Sequence, residues 1–213
     1  MVKVLLVDDH ELVRTGIEHL LGEIDFIDVV GMADSGEEAI KLVDDLQPDV
    51  VLMDIHMPGM GGMEASRKIN LKYPRVKIII LTVLADGPIP QQMLSAGVHG
   101  YVTKSCAIAE LVAAIKAVHG GERFLSHEMA SKLAFSQLSG SHGSPFEQLS
   151  QRELQVVMMT LRGWDMNEIA QSLVISPKTV STYRHRVNEK LAVKNDIELM
   201  RLALKHKLVV DSV

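Results

Sequence analysis

The sequence predicts a doubly wound α/β unit followed by a small all-α unit, and three observations carry that reading. From residue 2 to about 120, short β-rich apolar runs alternate with segments of helical period. After Gly120-Gly121 the alternation stops. A polar Ser/Gly-rich stretch, Ser139 to Pro145, then precedes a run of helical segments with no further strand of the first kind. At 213 residues the chain is long enough for two modest domains. The expected division is 1–120, a linker over 121–146 that could carry a short helix, and 147–213.

The strands are expected at Val2–Val7, Asp28–Met32, Asp49–Met53, Lys77–Thr82 and His99–Thr103. Runs as continuous as Val4–Val7 and Ile78–Leu81 suit strands buried on both sides. Between the first two, Val13, Ile17, Leu20 and Leu21 have the spacing of one buried helix face, and Ile108, Leu111, Val112, Ile115 and Val118 repeat the device. Strands alternating with helices imply βαβ units and a parallel sheet covered on both faces. With strand order 2-1-3-4-5, ligands sit at the carboxyl ends of the strands. A further short helix over 127–138 would put Met129, Leu133 and Leu138 on one side.

Composition narrows the class of protein. The chain is 47% hydrophobic and 23% charged, ordinary for a soluble globular protein. One cysteine, Cys106, excludes an intrachain disulfide and suits a reducing compartment. The apolar stretch before Asp8 is too short for a signal-peptide core, and the longest apolar run, Ile78 to Ala85, is far below the ~20 residues that span a bilayer. The expectation is a cytoplasmic protein with no membrane partner. Charge is uneven: residues 1–120 carry 10 Lys and Arg against 17 Asp and Glu, whereas 147–213 carry 10 against 8. An acidic part joined to a mildly basic one suggests two jobs, the second involving nucleic acid.

Chemistry gathers at the strand ends. Asp8 and Asp9 follow the first strand and Asp54 the third, and these strands are neighbours in the expected order. Clustered carboxylates repel, and a hard divalent cation such as Mg2+ relieves that repulsion. Thr82 ends the fourth strand and Lys104 follows the fifth, so a hydroxyl and an ammonium converge on the same edge. Together they make a place to hold a phosphoryl group. Any one of these Asp residues could merely begin a loop or cap a helix; the ordered set is harder to explain that way. His10 is placed at the start of the first helix, with no need for it, or for His56, as a base.

The segments Leu6-Val-Asp-Asp-His10 and Met53-Asp-Ile-His-Met-Pro-Gly59, with Thr82 and Tyr101-Val-Thr-Lys104, resemble the signature of response-regulator receiver domains over the whole of 1–120. The resemblance implies a flavodoxin-like (βα)5 fold with Asp54 as phosphoacceptor. Asp9 and Asp54 would ligate Mg2+ directly, Asp8 mainly through water, and the His56 backbone carbonyl would be a third protein ligand. Lys104 would contact the phosphoryl oxygens. Thr82 and Tyr101 match the family's switch pair, which would alter the face around the fourth helix and fifth strand. For Tyr101 the plain alternative is a half-buried aromatic on an edge strand. Where the family often has Pro after Lys104 this chain has Ser105, so a cis bond there would cost more.

Four helices are expected after the linker: roughly 150–162, 167–173, 177–191 and 195–206. Ser150 with Glu153 reads as a capping box, Gly163 as a stop, Asn167 as a cap for the second helix, and Ser176-Pro177 as a strong start for the third. Val180, Tyr183, Val187 and Leu191 would face inward. The outer face shows Lys178, Ser181, Thr182, His185 and Glu189, flanked by Arg184, Arg186 and Lys190. A short helix, a turn and a helix with a polar, basic face form a helix-turn-helix reader of the major groove. Lys178, Arg184, Arg186 and Lys190 would meet phosphates; Ser181, Thr182 and His185 are placed for base edges. A solvated helix face would show much the same charges.

Leu149-Ser-Gln-Arg-Glu-Leu154, Ile169-Ala-Gln-Ser-Leu173, Ile175-Ser-Pro-Lys-Thr-Val180 and Lys190-Leu-Ala-Val193 resemble the LuxR-type DNA-binding domain. With a receiver in front, the chain is similar to the NarL/FixJ family, and Thr179 to Arg186 is most similar to its GacA/UvrY group. The resemblance implies a non-enzymatic regulator phosphorylated by a sensor histidine kinase of the GacS/BarA type. It implies promoter DNA, including genes of small regulatory RNAs, as target, with activation the expected effect and RNA polymerase a further contact. The last helix, through Ile197, Met200, Arg201 and Leu204, could pair two copies on DNA or only close its own core. A Mg2+-dependent phosphatase using Asp54 as nucleophile is the competing reading, and the absence of a substrate-binding insert counts against it.

Overall fold

The computed structural model describes residues 1–55, 57–82, 97–131, 144–206 and 208–209. They fall into two compact units, one holding the described residues up to 131 and the other those from 144 on.

The first unit is a parallel sheet of order β2-β1-β3-β4-β5-β6. Its strands are β1 Val2–Val7, β2 Ile27–Ala33, β3 Val50–Met53, β4 Lys77–Thr82, β5 Gly100–Thr103 and β6 Phe124–Leu125. Its labelled helices are α1 Glu11–Gly22, α2 Gly36–Leu46, α3 Gly61–Lys72 and α4 Ile108–His119. The segment expected to hold another helix before β5 lies in residues 83–96, outside the described residues. The order of the first five strands is the expected one. The added strand, β6, pairs with β5 through Gly100↔Phe124 and Tyr101↔Leu125. Two residues are too few to show a period, so β6 was invisible to pattern reading.

The apolar runs are buried on both faces because helices cover both. Val4, Leu6, Leu52, Ile79, Leu81 and Val102 form a core with Leu21 of α1 and Leu111, Ile115 and Val118 of α4. α2 packs against α3, β1 and β2. Alternate strand residues such as Leu5, Val51, Met53 and Ile80 point to the opposite face and are equally buried. One expected core residue is wrong: Leu20 is 45% exposed, since Ile17 and Leu21 already occupy the centre of the α1 stripe. Of the helix expected over 127–138, residues 127–131 are helical and bury Met129; Leu133 and Leu138 lie outside the described residues.

The second unit begins with a 3-10 turn, Pro145–Gln148, and continues as α5 Gln151–Leu161, α6 Met166–Leu173, α7 Pro177–Leu191 and α8 Asp196–Lys205. Ser150 and Glu153 form the expected capping box, and Ser176 caps α7 by accepting from the Thr179 amide. The cap of α6 corrects the sequence reading. Asp165, not Asn167, accepts from the Asn167 and Glu168 amides, and Glu168 closes the box. Both residues are good caps, but only the one with extended backbone can turn its oxygen onto the next two N–H groups.

α6 ends on Val174 in the left-handed region (φ 55), 79% exposed. That conformation is costly for a β-branched residue and is ordinarily taken by Gly or Asn. Val174→Asn is therefore expected to stabilise the second unit by about 1 kcal/mol. Thermal unfolding of the full chain checks this; a midpoint at or below the parent's would refute the strain.

Candidate functional site

The acidic site follows from sheet order. Val7 and Met53 are partners in the β1–β3 ladder, so Asp8 and Asp54 leave the sheet side by side. The ladder continues past the strand ends: the Asp54 amide donates to the Val7 carbonyl (2.8 Å) and the Lys104 amide to the Thr82 carbonyl (2.7 Å). The site's backbone is thus held by the sheet and not by a free loop.

Lys104 brings the charges together. Its Nζ lies 2.6 Å from Asp8 Oδ2 and 3.0 Å from Asp54 Oδ2. Both carboxylates are buried, Asp8 at 3% and Asp54 at 1% exposure, whereas the Asp9 side chain reaches the open side. Burial works against the Lys104 ammonium, but Asp54 and Asp8 outweigh it and hold its pKa above the ordinary lysine value. Lys104 therefore stays cationic. His10 stands over the pocket with Nδ1 2.9 Å from Asp9 Oδ1 and 3.3 Å from Asp8 Oδ1. Arg14, one turn further along α1, donates to the Asp8 carbonyl.

The residues present fit a divalent cation. Oxygens of Asp8, Asp9 and Asp54 and a nitrogen of His10 all lie within 4.8 Å of one another. Among the described residues three carboxylates gather here and Lys104 pairs with two of them, and hard oxygen donors suit a hard cation. The His56 carbonyl lies outside the described residues.

Thr82 ends β4 and Tyr101 is the second residue of β5, paired with Ile80, and both are fully buried. Burial, aided by the Asp54 charge, pushes the Tyr101 phenol well above the ordinary range, against a smaller opposing effect of the Thr82 hydroxyl. A half-buried aromatic on an edge strand is thereby excluded, because β6 covers the outer side of β5. No peptide bond is cis among the described residues, so the chain passes from Lys104 to Ser105 in trans.

In the second unit α7 buries Val180, Val187 and Leu191 and packs Tyr183 against a core of Val156, Met159, Ile169, Ala170 and Leu173. Lys178, Ser181, Thr182, His185 and Arg186 are exposed on its outer side. The Thr182 hydroxyl donates to the Lys178 carbonyl (3.0 Å), which leaves its oxygen free to accept. His185 Nδ1 lies 3.3 Å from Glu189 Oε2, with both side chains exposed.

Two expected phosphate contacts are engaged inside the unit. Arg184 Nη2 reaches both oxygens of Asp196, at 2.5 and 2.7 Å. Lys190 Nζ lies 2.6 Å from Glu153, a carboxylate only 3% exposed. Helical spacing puts both cations on the flank of α7, but their partners come from α8 and α5, which spacing does not show. The sequence also hid Gly62 and Glu37. Gly62 lies against the Asp54 carbonyl, and the Glu37 carboxylate accepts from the Met60 amide (2.9 Å), tying α2 to the loop after Asp54.

A parallel sheet with an acid pocket and a lysine at its carboxyl edge, joined in sequence to a helix-turn-helix, defines a phospho-receiver coupled to a DNA reader. Residues 4–116 match the response regulator receiver domain, and 147–203 match the bacterial regulatory proteins of the luxR family. Response regulator GacA of Pseudomonas syringae pv. syringae is 47% identical over 210 residues, 98% of each chain. Response regulator UvrY of Escherichia coli is 47% identical over 209 residues, covering 98% of this chain and 96% of UvrY. Among solved structures, RcsB from Salmonella enterica serovar Typhimurium, bound to promoter rprA in the presence of phosphomimetic BeF3-, superposes with a TM-score of 0.76. It is 28% identical, with 95% of this chain and 98% of that one covered. The chain belongs to the response regulators that join a receiver to a LuxR-type DNA-binding domain; these are transcription regulators and not enzymes. No helix among the described residues is long and apolar enough to cross a membrane.

Proposed function

We propose that Asp54 accepts a phosphoryl group from the phosphohistidine of a sensor histidine kinase and that this controls promoter binding by α7. The observation that carries it is the convergence of Asp8, Asp9, Asp54, Lys104 and Thr82 on one sheet edge. An Asp54 oxygen forms the new O–P bond while the P–N bond breaks, and the electron pair leaves on the imidazole nitrogen. The ionised carboxylate needs no base, so positioning and charge neutralisation are the remaining work. Asp9 and Asp54 would hold Mg2+ directly, with the His56 carbonyl, and Asp8 through water. Bound there, Mg2+ supplies charge neutralisation to phosphoryl oxygens. Lys104 offers a second positive charge, and Thr82 a hydroxyl whose movement toward the phosphate would carry Tyr101 with it.

In the second unit Lys178 and Arg186 meet DNA phosphates, while Ser181, Thr182 and His185 face base edges. Arg184 and Lys190 reach DNA only by giving up Asp196 and Glu153, so their first role is to brace α7. The division 1–120, 121–146 and 147–213 places phosphorylation and DNA binding in separate domains. By likeness to GacA and UvrY the kinase is of the GacS/BarA type and the targets include small regulatory RNA genes. Regulation would be by activation, with RNA polymerase as a further partner. The working form is a cytoplasmic homodimer on paired half-sites, as the symmetry of such readers favours. Exposed Ile197 and Arg201, with half-buried Met200 and Leu204, offer a pairing stripe.

Labelling with acetyl phosphate tests the first half. The parent should take up one hydroxylamine-labile phosphate, and Asp54→Ala none. Undiminished labelling of Asp54→Ala, or turnover of an external phosphomonoester, would overturn it. For the reader, Lys178→Ala and Arg186→Ala should weaken binding on every sequence and each flatten the log–log salt slope by about 1. Ser181→Ala, Thr182→Ala and His185→Ala should shift sequence preference instead. Unchanged binding by all five would mean that α7 is not the recognition helix.

A further inference from the structure

We propose that His10 is a nitrogen ligand to the cation of the acidic pocket and biases that pocket toward first-row transition ions over Mg2+. This rests on the cation reading above and adds to it a donor of different chemistry. Two ligand atoms, each about 2.1 Å from one metal and at right angles, lie about 3.0 Å apart. The separation from His10 Nδ1 to Asp9 Oδ1, 2.9 Å, is close to that value. His10 Nδ1 is thus at the spacing of a neighbouring ligand to Asp9, one of the two carboxylates expected to hold the ion directly. The ligand atoms of Asp8, Asp9, His10 and Asp54 all lie within 4.8 Å of one another, so they gather about one place in the pocket.

The backbone presents the ring in this place. His10 is the residue before α1, where its carbonyl accepts from the Val13 and Arg14 amides at 3.1 Å. Its own amide donates to Asp8 Oδ1 (2.9 Å), so the main chain is tied to the pocket on one side and to α1 on the other. The side chain makes no helix-capping bond and is 66% exposed, leaving the ring on the pocket's open side. Imidazole adds little to Mg2+, which prefers oxygen, but suits Co2+, Ni2+ and Zn2+, and affinity rises along the first row from Mn2+ through Ni2+ to Cu2+. A ring that merely donates a hydrogen bond to Asp9 would give no such preference.

The experiment titrates the full chain with Mg2+, Mn2+ and Ni2+ by calorimetry, as parent and as His10→Ala, and records electron spin-echo spectra of the Mn2+ complexes. The parent's Mn2+ spectrum should carry 14N modulation from one imidazole, absent in His10→Ala. Ni2+ affinity should fall about tenfold or more in His10→Ala, with Mg2+ affinity within about twofold. Mg2+ binding with no 14N modulation in the parent, or an unchanged Ni2+ affinity in His10→Ala, overturns the role of His10 alone. Failure of the parent to bind any of the three ions overturns the cation reading, and the role of His10 with it.

Discussion

Gly62→Ala is expected to abolish labelling at Asp54 without touching any charged residue. α3 begins with Gly61 and Gly62 lying directly on the loop that leaves β3, and the Gly62 amide donates to the Ile55 carbonyl at 3.1 Å. A Cβ on Gly62 would sit 1.7 Å from the Asp54 carbonyl oxygen, 2.7 Å from its carbonyl carbon and 3.0 Å from Ile55 Cα. All three are backbone atoms, so no side chain can rotate out of the way. Either α3 or the Asp54 peptide must move by an ångström or more, and the Asp54 peptide is also held by the Val7 carbonyl. Overpacking of this kind costs about 3 kcal/mol. Misplacing a reacting group by about an ångström costs about 100-fold in rate. Acetyl phosphate labelling and thermal unfolding read the two effects. Gly16→Ala is the contrast: nothing lies within 4 Å of its added methyl, so helix propensity should make it neutral or stabilising. Normal labelling by Gly62→Ala, at parental stability, would show that the contact does not position Asp54.

The second large effect is expected at Lys190. It lies at the end of the proposed recognition helix, where a basic residue invites a phosphate contact. Its ammonium instead neutralises Glu153, which also accepts from the Ser150 amide at 2.7 Å. Gln148 adds to the clamp, donating from its side chain to the Lys190 carbonyl at 2.6 Å. Burial pushes the Glu153 carboxyl up, but Lys190 and the Ser150 amide outweigh it and hold the pKa below the ordinary carboxylate value. A lowered folded-state pKa means stability that is present above about pH 4.5 and is lost as pH falls through the folded value. Lys190→Ala leaves the buried carboxylate without its cation and should cost about 3 kcal/mol at pH 7. That deficit should shrink as the solution is acidified and Glu153 takes a proton. Chemical denaturation at pH 7 and pH 4 provides the check. A variant as stable as the parent but weaker on DNA would return Lys190 to the phosphate-contacting set.

Arg184 and Lys190 mark the boundary of what spacing can say. A helical repeat assigns residues to faces correctly, and α7 buries the ones it should: Val180, Val187 and Leu191. Charges on the flanks are different, because whether a flank faces solvent, DNA or another helix depends on elements far away in sequence. Asp196 is 12 residues from Arg184 and Glu153 is 37 from Lys190, so neither partner falls in any local window. Leu20 failed for a related reason, since the width of a buried stripe is set by what packs on it.

The sequence by itself determined the strand order, both units and the carboxylates, lysine and threonine that gather at one sheet edge. It could do so because apolar runs of strand length and alternating helices permit few parallel topologies, and such a sheet sends the ends of β1, β3, β4 and β5 to one side. Only the tertiary structure decided the contacts across that edge and across the helices. It buried Tyr101 behind β6, set Gly62 against the Asp54 backbone, placed His10 Nδ1 2.9 Å from Asp9, and drew Arg184 and Lys190 inward. These are matters of a few ångströms between residues from different elements, and such distances are fixed by packing, not by periodicity.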